Sequence, residues 1–385
     1  MTNSDVLSLS QQLRERVLEP MKQSFVGKDE IIDLLGLCLV ARENLFLLGP
    51  PGTAKSALVH QLASRIRGRI FDYLLTRFTE PNEIFGPFDI RKLRDGELET
   101  NTEGMLPEAD FVFLDELLNS NSAILNSLLM VLNERVFRRG REARPLHTLM
   151  VVGASNHLPE DESLQALIDR FLVRVGCYNV ADDSLQQVLV AGWKLDGHAQ
   201  GSSSQVSVED IRTLQSLVKQ VDLSAVLPRY VELIQQLRRA GLAISDRRAV
   251  KLQNLLAASA ILCGRMKANQ ADVWVLRYIW NSEEEQDVLA ALVKQALEAA
   301  EESDLAAGHP QSRVAEAPDP ERLASDLTQL GDEVAASAGD SAQRSVVRDK
   351  LALLSTRCQW VTDPRQRAEL EQMASELWTR IGANA

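Results

Sequence analysis

No apolar run in this chain is long enough to cross a bilayer. The longest, residues 31–41, is broken by Asp33 and is about half the ~20 residues that a membrane helix needs. The first twelve residues are polar and lack the apolar centre of a signal peptide, so neither membrane insertion nor export is expected. Cysteine is sparse too. The four present (Cys38, Cys177, Cys263, Cys358) form no CxxC pair and the five histidines are scattered, which supports neither a disulfide framework nor a structural zinc and points to a reducing, cytoplasmic compartment. A basic surplus is also missing. The net charge is −12, with about −10 of it after Trp280 and the first 280 residues nearly neutral, which argues against nucleic acid as the main partner because a phosphate backbone needs a basic surface.

What is there has the balance of an ordinary soluble protein: 385 residues, 45% apolar and 25% charged, enough for two or three domains. Short apolar runs at 44–48, 70–75, 111–115, 149–154 and 173–178 alternate with longer amphipathic ones. That pattern predicts an α/β fold with a five-stranded parallel sheet whose faces are both covered by helices. Leu58, Val59, Leu62 and Ile66 share one helical face, expected to end at Gly68, and Ile124, Leu125, Leu128, Leu129 and Leu132 share another. Two inserts interrupt the plan. DIRKLR and ELETNT flank Asp95-Gly96, a dipeptide suited to a hairpin turn, and VFRRGREARP reads as a second hairpin turning near Gly140.

Beyond the sheet the periodicity becomes helical. The expected division is an α/β domain over 1–190, a small all-α domain over 191–280 and an acidic helical region over 281–385. Within the last, residues 306–320 read as a linker, followed by helices from Pro320 and from Asp363 to Ile381.

The octapeptide Gly49-Pro50-Pro51-Gly52-Thr53-Ala54-Lys55-Ser56 follows the first apolar run and opens a helix, the setting of a phosphate-binding loop. Backbone N–H groups there converge on phosphate oxygens where the helix end is already positive, Lys55 adds a cation, and the Ser56 hydroxyl is placed to ligate Mg²⁺. Ala54 stands where the pattern has glycine, which its methyl tolerates at negative φ. Further on, FVFLDE ends a buried strand with Asp115, suited to hold Mg²⁺ through water, and Glu116, suited to polarise the attacking water. Asn156, in GASNHLP, supplies a neutral amide that orients the same water.

GPPGTAKS (49–56), FVFLDE (111–116), AILNSLLMVLNER (123–135), SN (155–156), LIDRF (167–171) and SDRR (245–248) occur in the order seen in MoxR-family AAA+ ATPases. The chain resembles that family over about residues 10–280, and YLLTRFTEPNEIFGP (73–87), LPEAD (106–110) and SDRR are most similar to its RavA branch. The resemblance implies an AAA+ nucleotide-binding domain, an all-α lid and a helical C-terminal tail. It further implies a homo-oligomeric ring, usually a hexamer, with ATP and Mg²⁺ between subunits. By the same resemblance, Val26 and Gly27 frame the adenine, Ala57 follows the loop at the nucleotide, and Asn156 is the first sensor. Arg170 is the finger that a neighbour donates, with Arg174 its rival, and Arg247 is the lid arginine, with Arg248 its rival. The two inserts face the ring's pore, where Arg138, Arg139 and Arg141 reach a client.

The function these features imply is an ATP-hydrolysing motor that remodels a protein client, with a von Willebrand factor A domain protein as partner. No β-rich module of the kind that binds a lysine decarboxylase follows Glu283, so that partner is not implied. The alternatives are a nucleotide-gated scaffold with little turnover and a DNA-acting AAA+ motor, which the charge balance disfavours.

Overall fold

In the computed structural model the runs at 44–48 and 173–178 become neighbours although about 125 residues of chain separate them. The structure describes residues 3–94, 99–139, 142–159, 162–180, 184–197, 206–313, 320–336, 347–348, 350–351, 354–355, 358 and 364–383. They fall into two compact units, one of residues 1–222 with 252–268, the other of 223–251 with 269–385.

The first unit is built on a parallel sheet of β1 (Leu45–Leu48), β2 (Ile70–Leu74), β3 (Phe111–Asp115), β6 (Met150–Ser155) and β7 (Val173–Gly176), in the order β2-β3-β6-β1-β7. All five expected strands are present. β1, in the interior, is buried at every position, as are all six residues of β6, whereas edge strand β2 alternates and exposes Asp72 and Leu74. Every pairing is parallel, so the loops leaving β1, β3, β6 and β7 emerge at one edge of the sheet. That is the edge where open α/β sheets bind ligands.

Helix Lys55–Ile66 lays Leu58, Val59, Leu62 and Ile66 against the sheet. It ends one residue earlier than glycine placement suggests: Arg67 takes the left-handed turn, with φ 54°. Gly68 serves packing instead, since a Cβ there would come within 2.4 Å of the Phe111 ring. Helix Ser122–Glu134 starts at Asn121, whose side chain accepts from the N–H groups of Ala123 and Ile124 and so satisfies two otherwise orphan donors.

The two inserts differ from each other. β4 (Val136–Arg139) and β5 (Glu142–Pro145) form the expected antiparallel hairpin, whose tip at Gly140 and Arg141 lies outside the described residues. In the other, Phe88 and Thr100 pair antiparallel but DIRKLR does not continue as a strand. It forms a helical turn, Ile90–Arg94, because the Asp89 carboxylate accepts from the N–H groups of Arg91 and Lys92 and caps it. The Asp95-Gly96 turn lies outside the described residues.

The second unit is helical. Its first part holds Leu227–Arg239, a 3₁₀ stretch Gln270–Tyr278 and Glu285–Glu298. Within residues 306–313, expected as linker, His309 and Ser312 are buried: the His309 ring stacks on fully buried Trp274 at 4.7 Å, and the Gln311 carbonyl accepts from Arg277. Residues 314–319 lie outside the described set. The helices Pro320–Ala336 and Pro364–Ala383 then share an apolar cluster of their own around Leu323, Leu327, Leu351, Leu370 and Leu377.

Candidate functional site

The loop after β1 turns sharply because its glycines permit it. Gly49 has φ 155° and passes so close to β7 that a Cβ would lie 2.1 Å from the Cys177 carbonyl oxygen. Gly52 has φ 82°, and a Cβ there would meet no atom within 4 Å, so its backbone faces open space. Ala54 corrects the sequence expectation. Its φ is 70°, in the left-handed region, so the alanine keeps the conformation of the glycine it replaces instead of escaping to negative φ. The methyl crowds the following carbonyl there at a cost of about 1 kcal/mol.

Two contacts brace the loop from below. The Thr53 hydroxyl donates to the Pro50 carbonyl at 3.0 Å, and the Cys177 Sγ–H donates to the Thr53 carbonyl at 3.3 Å. Cys177 has no motif around it, so only its contact reveals the role.

Lys55 is buried, yet its ammonium donates only to neutral oxygens: the Gly49 carbonyl at 2.6 Å, the Pro50 carbonyl at 3.0 Å and Asn156 Oδ1 at 3.5 Å. No carboxylate among the described residues is paired with it. A buried cation held only by dipoles is incompletely neutralised, and an anion is the group that completes it. The neighbouring Pro50, Pro51, Gly52, Ser56 and Ala57 are exposed. The donor set therefore fits a polyphosphate.

Asn156 links this cation to the acid pair. Its Nδ2 donates to Glu116 Oε1 at 2.5 Å while its Oδ1 accepts from Lys55, which fixes the amide's orientation. Glu116 sits at φ 50°, ψ 41°, another strained left-handed position. Its N–H is held by Asp115 Oδ1 at 3.0 Å, and Asn119 Nδ2 donates to its Oε2 at 3.1 Å. Both carboxylate oxygens thus have amide donors, and Asn119 is a member of the group that the motifs did not single out. Asp115 ends β3 beside it, half-buried, with its own backbone carbonyl accepting from Leu75. Lys55, Asn156 and Glu116 are therefore joined by hydrogen bonds at the outlets of β1, β3 and β6, with Asp115 bonded to the Glu116 N–H beside them.

Val26 and Gly27 lie in the turn before helix Asp29–Ala41. Gly27 has φ 68° and abuts the Val180 side chain, while the buried Lys28 ammonium donates to the Tyr178 carbonyl. This turn is thus tied to the segment leaving β7, at the same edge.

The arginines separate cleanly. Arg174 is fully buried, donates to the Ile168 carbonyl at 3.0 Å and lies 3.8 Å from Asp169, so it is a structural support and cannot be lent outward. Arg170 is half-buried, and among the described residues nothing accepts from its guanidinium. It precedes β7, at the opposite edge of the sheet from Lys55. Arg139 is held by the Gly86 carbonyl at 2.7 Å, by Asn82 Oδ1 and by the face of Phe88 at 3.8 Å, so it staples one insert to the other and does not project as the sequence suggested. Arg138 is exposed and paired with Glu134 at 3.1 Å, and Arg141 lies outside the described residues. In the second unit, Arg248 is bound to Asn281 and to the Ile279 carbonyl, while Arg247 is exposed.

Comparisons with known proteins bear on the family and the fold. Residues 11–216 match the family model of the MoxR domain in the MoxR-vWA-beta-propeller ternary systems, and residues 226–293 match an AAA lid domain. The chain is 35% identical to the uncharacterised protein MJ0812 of Methanocaldococcus jannaschii, over 70% of this chain and 72% of that one. It is 28% identical to the chaperone MoxR1 of Mycobacterium tuberculosis, over 42% of this chain and 43% of that one. A crystal structure of a proposed ATPase from Cytophaga hutchinsonii superposes with a TM-score of 0.62 at 20% identity, covering 77% of this chain and 97% of that one, which shows the shared fold. Among the described residues, no helix is long and apolar enough to cross a membrane.

Proposed function

The chain belongs to the MoxR family of AAA+ ATPases, and from that premise we propose that it hydrolyses ATP within a homo-oligomeric ring, a hexamer, to remodel a protein client. The observation that carries the reading is the hydrogen-bonded series Lys55–Asn156–Glu116, which joins an incompletely neutralised cation to a pre-oriented carboxylate. Bound ATP with Mg²⁺ supplies the phosphoryl group to be passed to water. Lys55 and the loop N–H groups of residues 52–57 hold its charge, with Gly49, Pro50 and Pro51 shaping the turn, Ser56 and Asp115 hold the metal, and Val26 and Gly27 frame the base. Glu116 accepts the proton of the attacking water, and Asn156, whose Nδ2 donates a hydrogen bond to it, keeps that water aligned without cancelling the carboxylate's charge.

Arg170 is the residue proposed to act on a neighbour's site, and its position supports this. Val173 pairs with Leu45 at the start of β1, whereas the phosphate loop leaves from Leu48, so the strand length of roughly 10 Å separates the arginine from its own subunit's loop. Full burial of Arg174 favours Arg170 over it. Arg247 is proposed as the lid arginine, Arg248 being engaged by Asn281. The partner proposed is a von Willebrand factor A domain protein together with a β-propeller, after the systems for which the matching family is named.

The test is phosphate release by wild type and Glu116→Gln. The variant should bind ATP with unchanged affinity yet turn over about 10²-fold or more slowly. Equal turnover would remove Glu116 from the chemistry, and no turnover by wild type at ring-forming concentration would favour the scaffold.

A further inference from the structure

We propose that Asn44 and Arg135 are positioning residues that set the place of Arg170, an inference that rests on the intersubunit role given to Arg170 above. Asn44 is 2% exposed and enters β1 from the edge where Arg170 lies. Its Nδ2 donates to the Arg170 carbonyl at 2.9 Å, and its Oδ1 accepts from Arg135 Nη2 at 2.7 Å. Only one amide orientation satisfies both, because a carbonyl cannot donate and a guanidinium cannot accept.

Arg135 also reaches the Arg42 carbonyl at 3.4 Å. Burial pulls its pKa down to about 10, which still leaves it charged at neutral pH. Its backbone ends helix Ser122–Glu134 in a left-handed turn, φ 52°, and its carbonyl accepts from the Leu146 N–H at 2.7 Å, closing the base of the β4–β5 hairpin. From the other side, fully buried Arg174 donates to the Ile168 carbonyl.

The turn 168–170 is therefore clamped through two of its carbonyls, one of them linked through Asn44 to the hairpin base. The guanidinium of Arg170 has no acceptor among the described residues. A fixed backbone carrying an uncommitted cation is what a side chain lent to another subunit needs, because a shift of about 1 Å in a charge-stabilising group costs on the order of a hundredfold in rate.

Asn44→Asp isolates the link. The carboxylate keeps an acceptor for Arg135 but has no N–H for the Arg170 carbonyl. The expected result is a fall in kcat for phosphate release of about ten- to a hundredfold at saturating ATP, with the affinity for a fluorescent ATP analogue unchanged. Mixing Asn44→Asp with Glu116→Gln protein should restore release, because the first keeps an intact phosphate site and the second an Arg170 in place. Arg135→Lys is the second variant, should the aspartate disturb folding: it keeps a donor for Asn44 but not the planar fork, and kcat should fall severalfold with affinity unchanged.

Wild-type kcat in both variants while Arg170→Ala has lost it would overturn the positioning role and leave that of Arg170 standing. Loss of turnover that mixing does not restore would also overturn it, showing damage to the subunit's own site. Wild-type turnover in Arg170→Ala would instead show that the underlying reading had failed.

Discussion

The two edges of the central sheet are built on different principles. At the outlets of β1, β3 and β6, chemistry-bearing residues sit in short contiguous motifs: Gly49 to Ser56, Asp115-Glu116 and Asn156. The parallel topology does the rest, since it sends every strand outlet to the same side. At the other edge, Arg135 and Arg170 lie 91 and 126 residues along the chain from Asn44, and they meet it only through tertiary hydrogen bonds. The first edge gathers its candidate residues from local motifs; the second, on the role proposed for Arg170, holds one side chain for presentation outward.

The sharpest way to separate the edges is to break one residue on each. Lys55→Ala should abolish measurable nucleotide binding, because it removes the buried cation that no carboxylate among the described residues neutralises, whereas Arg170→Ala should leave binding intact and lower kcat by about a thousandfold or more. Isothermal titration beside phosphate release distinguishes the two, and a binding defect in Arg170→Ala would erase the contrast. Within the first edge, Asn119→Ala frees one oxygen of Glu116 and should lower kcat by about tenfold, less than Asn156→Ala, which also breaks the link to Lys55; the order of the two rates is the check. Arg139→Met removes the staple between the inserts, including its contact with the Phe88 ring, and should destabilise the fold by about 2 kcal/mol. It should leave nucleotide affinity unchanged, which denaturation beside titration reports. The smallest effect belongs to Ala54→Gly, which relieves a left-handed alanine but loosens the unfolded chain, for a net gain of about 1 kcal/mol or less in chemical denaturation.

The first edge was legible in the sequence because its signals are local. A glycine-rich loop after an apolar strand, and an acid pair ending another, announce themselves without knowledge of the fold. The strands and the β4–β5 hairpin were readable for the same reason. What could not be read depends on contact. Arg170 and Arg174 are indistinguishable by type, and only the complete burial of Arg174 separates them. Arg139 looked like a projecting cation until Gly86, Asn82 and Phe88 came to surround it. Asp89 caps a helical turn where a strand was expected: its N–H still pairs with the Glu99 carbonyl, but its carboxylate accepts from the N–H groups of Arg91 and Lys92. Ala54 kept the glycine conformation because helix Lys55–Ile66 and the Gly49 turn fix the chain on both sides of it. The narrower likeness to the RavA branch rests on residues 73–87, 106–110 and 245–248 alone.

The most direct test of the division between edges is phosphate release from Arg170→Ala and Glu116→Gln proteins mixed in equal amounts, each inactive alone. Random assembly places an intact phosphate site against an intact arginine at about one interface in four, so release should recover to about that fraction of wild type. No recovery at any mixing ratio would contradict an arginine supplied by the neighbouring subunit.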